Sequence, residues 1–128
     1  MYDPQQELFT AIRMALAGSP YDVYDGALPP DGTPYPFIYL AETMLSDDIR
    51  KNGVVGNVTQ TIHIYSNDVR KRGTASLMAF AVKNLCRHIQ HTTNFSWDLI
   101  SVRQQHLSDN TTDEPLLHIV IDVEYRFS

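Results

Sequence analysis

Apolar residues recur at three- and four-residue steps near the start of the chain, where Leu8, Ala11, Ile12, Ala15 and Leu16 fall on one face at helical spacing. Asp3 ahead of Pro4 predicts where that helix begins. An Asp side chain at the N-cap accepts a bond from an orphan backbone N–H, and proline's missing N–H costs nothing in the first turn. Gly18 predicts its end. The next stretch, residues 18–36, holds five of the seven prolines and three of the six glycines. It reads as a connector with at most one short strand, around residues 21–24, followed by Pro-Pro-Asp-Gly turn chemistry.

Beyond the connector the period shortens to two. Residues 37–44 carry Phe, Ile, Tyr and Leu on both faces, as a strand covered on each side would. In residues 58–66, Thr59, Thr61, His63 and Tyr65 alternate with Val58, Gln60, Ile62 and Ile64. The residues between, 46–57, predict an extended, exposed hairpin tip or arm. A second helix is expected within residues 68–91, with Leu77, Met78, Ala81, Val82, Leu85, Cys86 and Ile89 as its apolar stripe. Lys83, Asn84, Arg87 and Gln90 face away from that stripe, and Phe80 falls among them. Two more strands, residues 95–107 and 116–127, close the chain around a turn at 108–113. In the last of them Leu117, Ile119, Ile121, Val123, Tyr125 and Phe127 line one face. The other face mixes His118, Asp122, Glu124 and Arg126 with Leu116 and Val120. Two amphipathic helices on one face of a mainly antiparallel sheet of four to five strands give an α+β two-layer sandwich, with one sheet face left over.

At 128 residues and 14.6 kDa the chain is expected to form a single domain, residues 1–128. The longest apolar run, residues 77–82, is far short of the about 20 residues that span a bilayer, so no membrane partner is expected. The opening residues lack the basic and apolar regions of a signal peptide, which argues for synthesis and action in the cytoplasm or export by another route. The single cysteine, Cys86, excludes an internal disulfide and any four-cysteine zinc site. Net charge is −5, with eight acids against three bases in residues 1–64 and seven of each in residues 65–128. That balance argues against tight nonspecific nucleic-acid binding, which needs Lys and Arg to neutralise phosphates.

Candidate chemistry is sparse. No G-x-S-x-G elbow or cysteine–histidine signature is present. His88 and His91 stand three apart near a helix end, outside any H-E-x-x-H pattern, and favourable placement at a helix C-terminus accounts for them equally well. His63 and His118 lie on strands that could be neighbours, with Asp122 four residues along from His118. The acids Asp47 and Asp48, and Asp109, Asp113 and Glu114, fall in expected turns, where solvation explains them. Gly53 and Gly56 precede a strand, not the helix N-terminus of a phosphate loop. No catalytic group, cofactor or metal is expected. Arg70, Lys71 and Arg72 form the one basic cluster, placed where a helix dipole disfavours it, so contact with a partner is a candidate role.

Adhesive surface stands in place of a catalytic constellation. Phe80 on a polar helix face, Leu116 and Val120 on the second sheet face, and Ile49, Val54 and Val55 in the arm are awkward for a monomer and suggest an oligomer. Candidate interface residues are therefore Asp47, Asp48, Ile49, Arg50, Lys51, Val54 and Val55 in the arm, Arg70, Lys71 and Arg72, and Phe80.

Over nearly its whole length the chain resembles the tail terminator, or tail-completion, proteins of long-tailed bacteriophages, the prophage type of Gram-positive bacteria. The resemblance rests on the opening Tyr2-Asp3-Pro4-Gln5-Gln6-Glu7-Leu8 and on Tyr21-Asp22-Val23-Tyr24 followed by Leu28-Pro29-Pro30 and Pro34-Tyr35-Pro36-Phe37-Ile38-Tyr39-Leu40. It continues through Gln60-Thr61-Ile62-His63-Ile64-Tyr65, Arg72-Gly73-Thr74, Asn94-Phe95-Ser96-Trp97 and Pro115-Leu116-Leu117-His118. It implies a non-enzymatic virion protein at the head-proximal end of the tail. Such a protein would be a homohexameric ring that caps the major tail tube protein, ends its polymerisation and offers a face to the head-completion or connector protein. DNA would pass through its lumen without specific binding. The alternatives are a head-side stopper or adaptor protein and, more distantly, a small α+β enzyme.

Overall fold

The computed structural model describes residues 2–50, 53–67, 70, 72–109 and 116–128. Helix α1 spans Pro4–Ala17, strand β1 Asp22–Asp25, β2 Phe37–Arg50, β3 Gly53–Ser66, helix α2 Arg72–Arg87, β4 Trp97–Asp109 and β5 Leu116–Phe127. The five strands form one sheet in the order β1-β2-β3-β5-β4. β1 pairs parallel with β2, and every other pairing is antiparallel. Both helices pack on one face, α1 against β1, β2 and β3, and α2 against β3, β4 and β5. The fold is the two-layer α+β sandwich expected from the periodicities.

Local chemistry explains the elements. Asp3 is the N-cap of α1, its carboxylate accepting from the Gln6 N–H at 3.2 Å, and Pro4 occupies the first turn. Gly18 caps the helix in a right-handed conformation, and Ser19 closes the end by bonding the Leu16 carbonyl. Leu8, Ile12 and Leu16 are fully buried against the sheet. β5 alternates without a break: Leu117, Ile119, Ile121, Val123, Tyr125 and Phe127 are all buried at the middle of the core. Each such side chain contributes about 1.5–3 kcal/mol by leaving water. Gln60, buried among them on β3, donates to the Ala41, Glu42 and Thr61 carbonyls at 3.4, 3.2 and 2.9 Å. Its amide thereby satisfies the backbone at the irregularity in β2 between Leu40 and Thr43.

The second helix corrects its predicted face. Ala75, Met78, Ala79, Val82 and Cys86 are buried, whereas Leu77, expected in the apolar stripe, is 69% exposed. Seven apolar positions cover a wide arc of a helix that turns about 100° per residue, and only part of that arc can meet the sheet. The small side chains of Ala75 and Ala79 let the helix settle on their side, which swings Leu77 to the far side. Leu116, expected on the uncovered face, is buried within the fold at 7% exposure. The strands flanking the expected arm are longer than predicted: β2 and β3 continue as a ladder to the pair Arg50 and Gly53. Cys86 is buried, and desolvation raises its thiol pKa to about 11, as suits an inert core side chain.

Candidate functional site

The sheet face opposite the helices carries two kinds of surface. At one end, Phe37 packs edge-on to Tyr24 with ring centroids 5.6 Å apart, stacks with Tyr35 at 5.3 Å and meets Tyr65 at 5.2 Å. Tyr65 stacks on His118 at 4.3 Å, His118 on His63 at 4.8 Å, and Tyr39 lies 5.9 Å from His63. This aromatic end follows from register, because Phe37 pairs with Tyr65, Tyr65 with His118, Tyr39 with His63 and His63 with Val120. Cross-strand pairs of this kind are the unit of sheet stabilisation. The other end is polar. Thr61 donates to Asp122 at 2.6 Å, Asn57 to Glu124 at 3.2 Å and Arg126 to Asn57 at 3.2 Å, with Ser101 and Arg103 of β4 alongside.

The structure brings His63 and His118 together, His63 Nδ1 lying 2.6 Å from His118 Nε2, while Glu42 stands 3.5 Å from His63 Nε2. Asp122 is not with them, being held by Thr61. Among the described residues no group of three or more His, Cys, Asp or Glu is arranged to hold a metal. His88 and His91 separate: the His88 ring bonds the Asn84 carbonyl at 2.7 Å, and His91 forms an isolated bridge with Ser96. An open groove of about 450 Å³ lies between α1 and residues 91–93. Its carboxylate Glu7 accepts from the Asn94 side chain and backbone at 2.6 and 3.1 Å, and these bonds lower its pKa.

The candidate interface residues are dispersed. Asp47 is exposed on β2, Asp48, Ile49 and Arg50 continue that strand, and Val54 and Val55 lie on β3. Lys51 and Lys71 lie outside the described residues, as does most of the predicted turn at 108–113. Arg70 is exposed in a turn, and Arg72 is exposed at the first position of α2. Phe80 is 55% exposed on the outer side of α2, one turn from Leu77. The two form an exposed apolar pair on α2. Phe80→Ser is expected to leave the thermal midpoint of the monomer within about 2 °C, since surface changes move stability by no more than about 0.5 kcal/mol, while weakening self-association. Calorimetry beside sedimentation measures both.

The hairpin has its own geometry. The pairing of β3 with β5 ends at Gly56 and Phe127, so residues 53–55 pair only with residues 48–50 and project about 10 Å past the sheet. Gly56 sits at the base of this projection. A Cβ there would collide with the Ser46 carbonyl and press on the Phe127 ring 3.1 Å away. Sequence reasoning assigned Gly56 no role because a close backbone approach leaves no local signal.

Neither a family model nor a curated protein matches the chain. Solved structures do. A chain from the virion of a native gene transfer agent particle superposes with a TM-score of 0.73 at 17% identity, covering 99% of this chain and 98% of that one. What they share is the whole fold. A second solved structure, which carries no functional description, superposes with a TM-score of 0.59 at 14% identity over 98% of this chain and 97% of the other. Both alignments run end to end, so the hairpin, both helices and the leftover sheet face fall inside the shared architecture.

Proposed function

We propose that this chain is a structural virion protein that forms a ring at the head-proximal end of a phage-type tail, ends polymerisation of the tail tube and presents a surface to the head connector. The observation that carries this reading is the end-to-end likeness to a chain built into a gene transfer agent virion. It is supported by the sequence resemblance to tail terminators and by a surface whose exposed features suit contact rather than chemistry. The Leu77 and Phe80 pair on α2 and the projecting hairpin of β2 and β3 are two separate exposed features, and a ring closed by head-to-tail contacts needs two different surfaces. The partners are further copies of the chain, the tube protein on one ring face and the connector on the other. DNA would cross the lumen unbound, in keeping with the net charge of −5.

Negative-stain microscopy of particles made without this protein tests the reading. Overlong tails unattached to full heads are the expected result. Tails of normal length beside leaking heads would move the protein to the head side of the joint, and intact infectious particles would overturn the structural role.

A further inference from the structure

The sheet has two strand segments with one side unpaired among the described residues, and they lie on opposite edges. β4 is the last strand on one side, bonded to β5 alone over Trp97–Asp109. On the other side β1 covers only residues 37–40 of β2, so residues 41–50 have a neighbour in β3 and none beyond. Long unpaired edges present backbone N–H and C=O groups that template pairing with another chain, and proteins ordinarily blunt them with proline, lysine or a covering loop. Neither segment contains proline or lysine.

We propose that the β4 edge of one copy of this chain pairs antiparallel with the 41–50 edge of β2 in the next copy, so that the sheet runs continuously from subunit to subunit. The inference rests on the ring reading and names its joint.

Three observations carry it. First, direction fits. β2, β3, β5 and β4 alternate along the sheet, so a copy placed beyond β4 in the same orientation presents its β2 antiparallel to β4. Second, length fits. β4 has its irregularity between Leu99 and Ser101, and the uninterrupted stretch beyond it, residues 101–109, matches the stretch of β2 left open by β1, residues 41–50. Because β1 blocks β2 up to Leu40, the neighbour is displaced toward the hairpin, and that displacement brings the projecting tip into the joint.

Third, the side chains on the two edges are complementary. On the open face β4 carries Leu107, 38% exposed, and β2 carries Met44, 71% exposed, and antiparallel pairing of 101–109 with 41–50 sets these two apolar side chains opposite each other. Edges of two different kinds meet in this joint, so it is heterologous, the kind of contact a ring is built from and a two-fold dimer is not.

Hydrogen exchange on the unmodified full chain tests the joint, comparing dilute protein with protein concentrated until light scattering reports oligomers. In a monomer the alternate amides of β4 that point away from β5 exchange with solvent. The expected result is protection of about tenfold or more in peptides spanning 101–109 and 41–50 together, appearing only with the oligomer. Oligomers that form with both segments unchanged, or with protection confined to the Leu77 and Phe80 face of α2, would overturn the edge joint and leave the ring reading standing. A chain that stays monomeric at every concentration, and whose loss leaves tails of normal length, would overturn both.

Discussion

Replacing residues 48–55 by Asn-Gly is expected to yield a monomer that folds as before and no longer assembles. The paired positions Asp47 and Gly56 would be joined by a two-residue turn of the kind that matches strand twist. Among the described residues of this segment, 48–50 pair with 53–55, beyond the point where Phe127 ends the β5 ladder. The thermal midpoint should therefore shift by no more than about 4 °C, the equivalent of roughly 1 kcal/mol. Assembly is different, because the substitution removes the last three residues of the open β2 edge together with the projecting tip. A fall of at least about tenfold in oligomer at a given concentration, equivalent to about 1.4 kcal/mol, is the expected result in sedimentation velocity. Rings at the wild-type concentration would show that the hairpin is no part of the joint.

Tyr125→Ala is expected to be the most damaging single substitution in the monomer. Tyr125 is fully buried on β5, lies edge-on to Trp97 with ring centroids 6.1 Å apart, and donates its hydroxyl to the Cys86 carbonyl at 2.7 Å. It therefore ties the last turn of α2 to the centre of the sheet. Truncating a buried aromatic costs about 3–5 kcal/mol, from lost burial and the cavity left behind. For a chain of this length that is a fall of roughly 10–20 °C in thermal midpoint. Tyr125→Phe keeps the ring and loses only the hydroxyl contact, at about 1 kcal/mol. Thermal unfolding of the pair separates packing from hydrogen bonding; equal losses for both would mean that the hydroxyl contact, not the ring, holds α2 in place. Desolvation raises the phenol pKa well above its ordinary value, so ionisation offers no route to loosening this contact near neutral pH.

Much of this architecture is written in local patterns. Asp3 and Pro4 set the start of α1 by satisfying, or never presenting, orphan N–H groups. The six apolar residues at alternate positions of β5 fix which side of that strand meets the helices, since a slip of one residue would turn all six toward water. Proline and glycine between residues 18 and 36 interrupt any longer element and leave only the four-residue β1. These features depend on spacing along the chain, which the order of residues specifies directly.

Where local patterns admit two answers, packing chose. The apolar arc of α2 is wide enough for Leu77 or Ala79 to face the sheet, and the small side chains let the helix settle with Ala79 inward. Gly56 became indispensable only once Ser46 and Phe127 closed around it from strands distant in sequence. The pairing of His63 with His118 and the aromatic end of the open face arose from strand register across β2, β3 and β5.

The sequence by itself determined the two helices, the order of elements, the core-facing sides of β3 and β5 and the two-layer α+β class, because each follows from the period of apolar positions and the stereochemistry of caps and turns. Tertiary structure alone decided that β5 lies between β3 and β4, that β1 stops short on β2, and hence that two edges of similar length, unpaired among the described residues, face opposite ways. Strand order depends on contacts between residues far apart in the chain, whose free energy is realised only when the whole sheet and its helices pack at once.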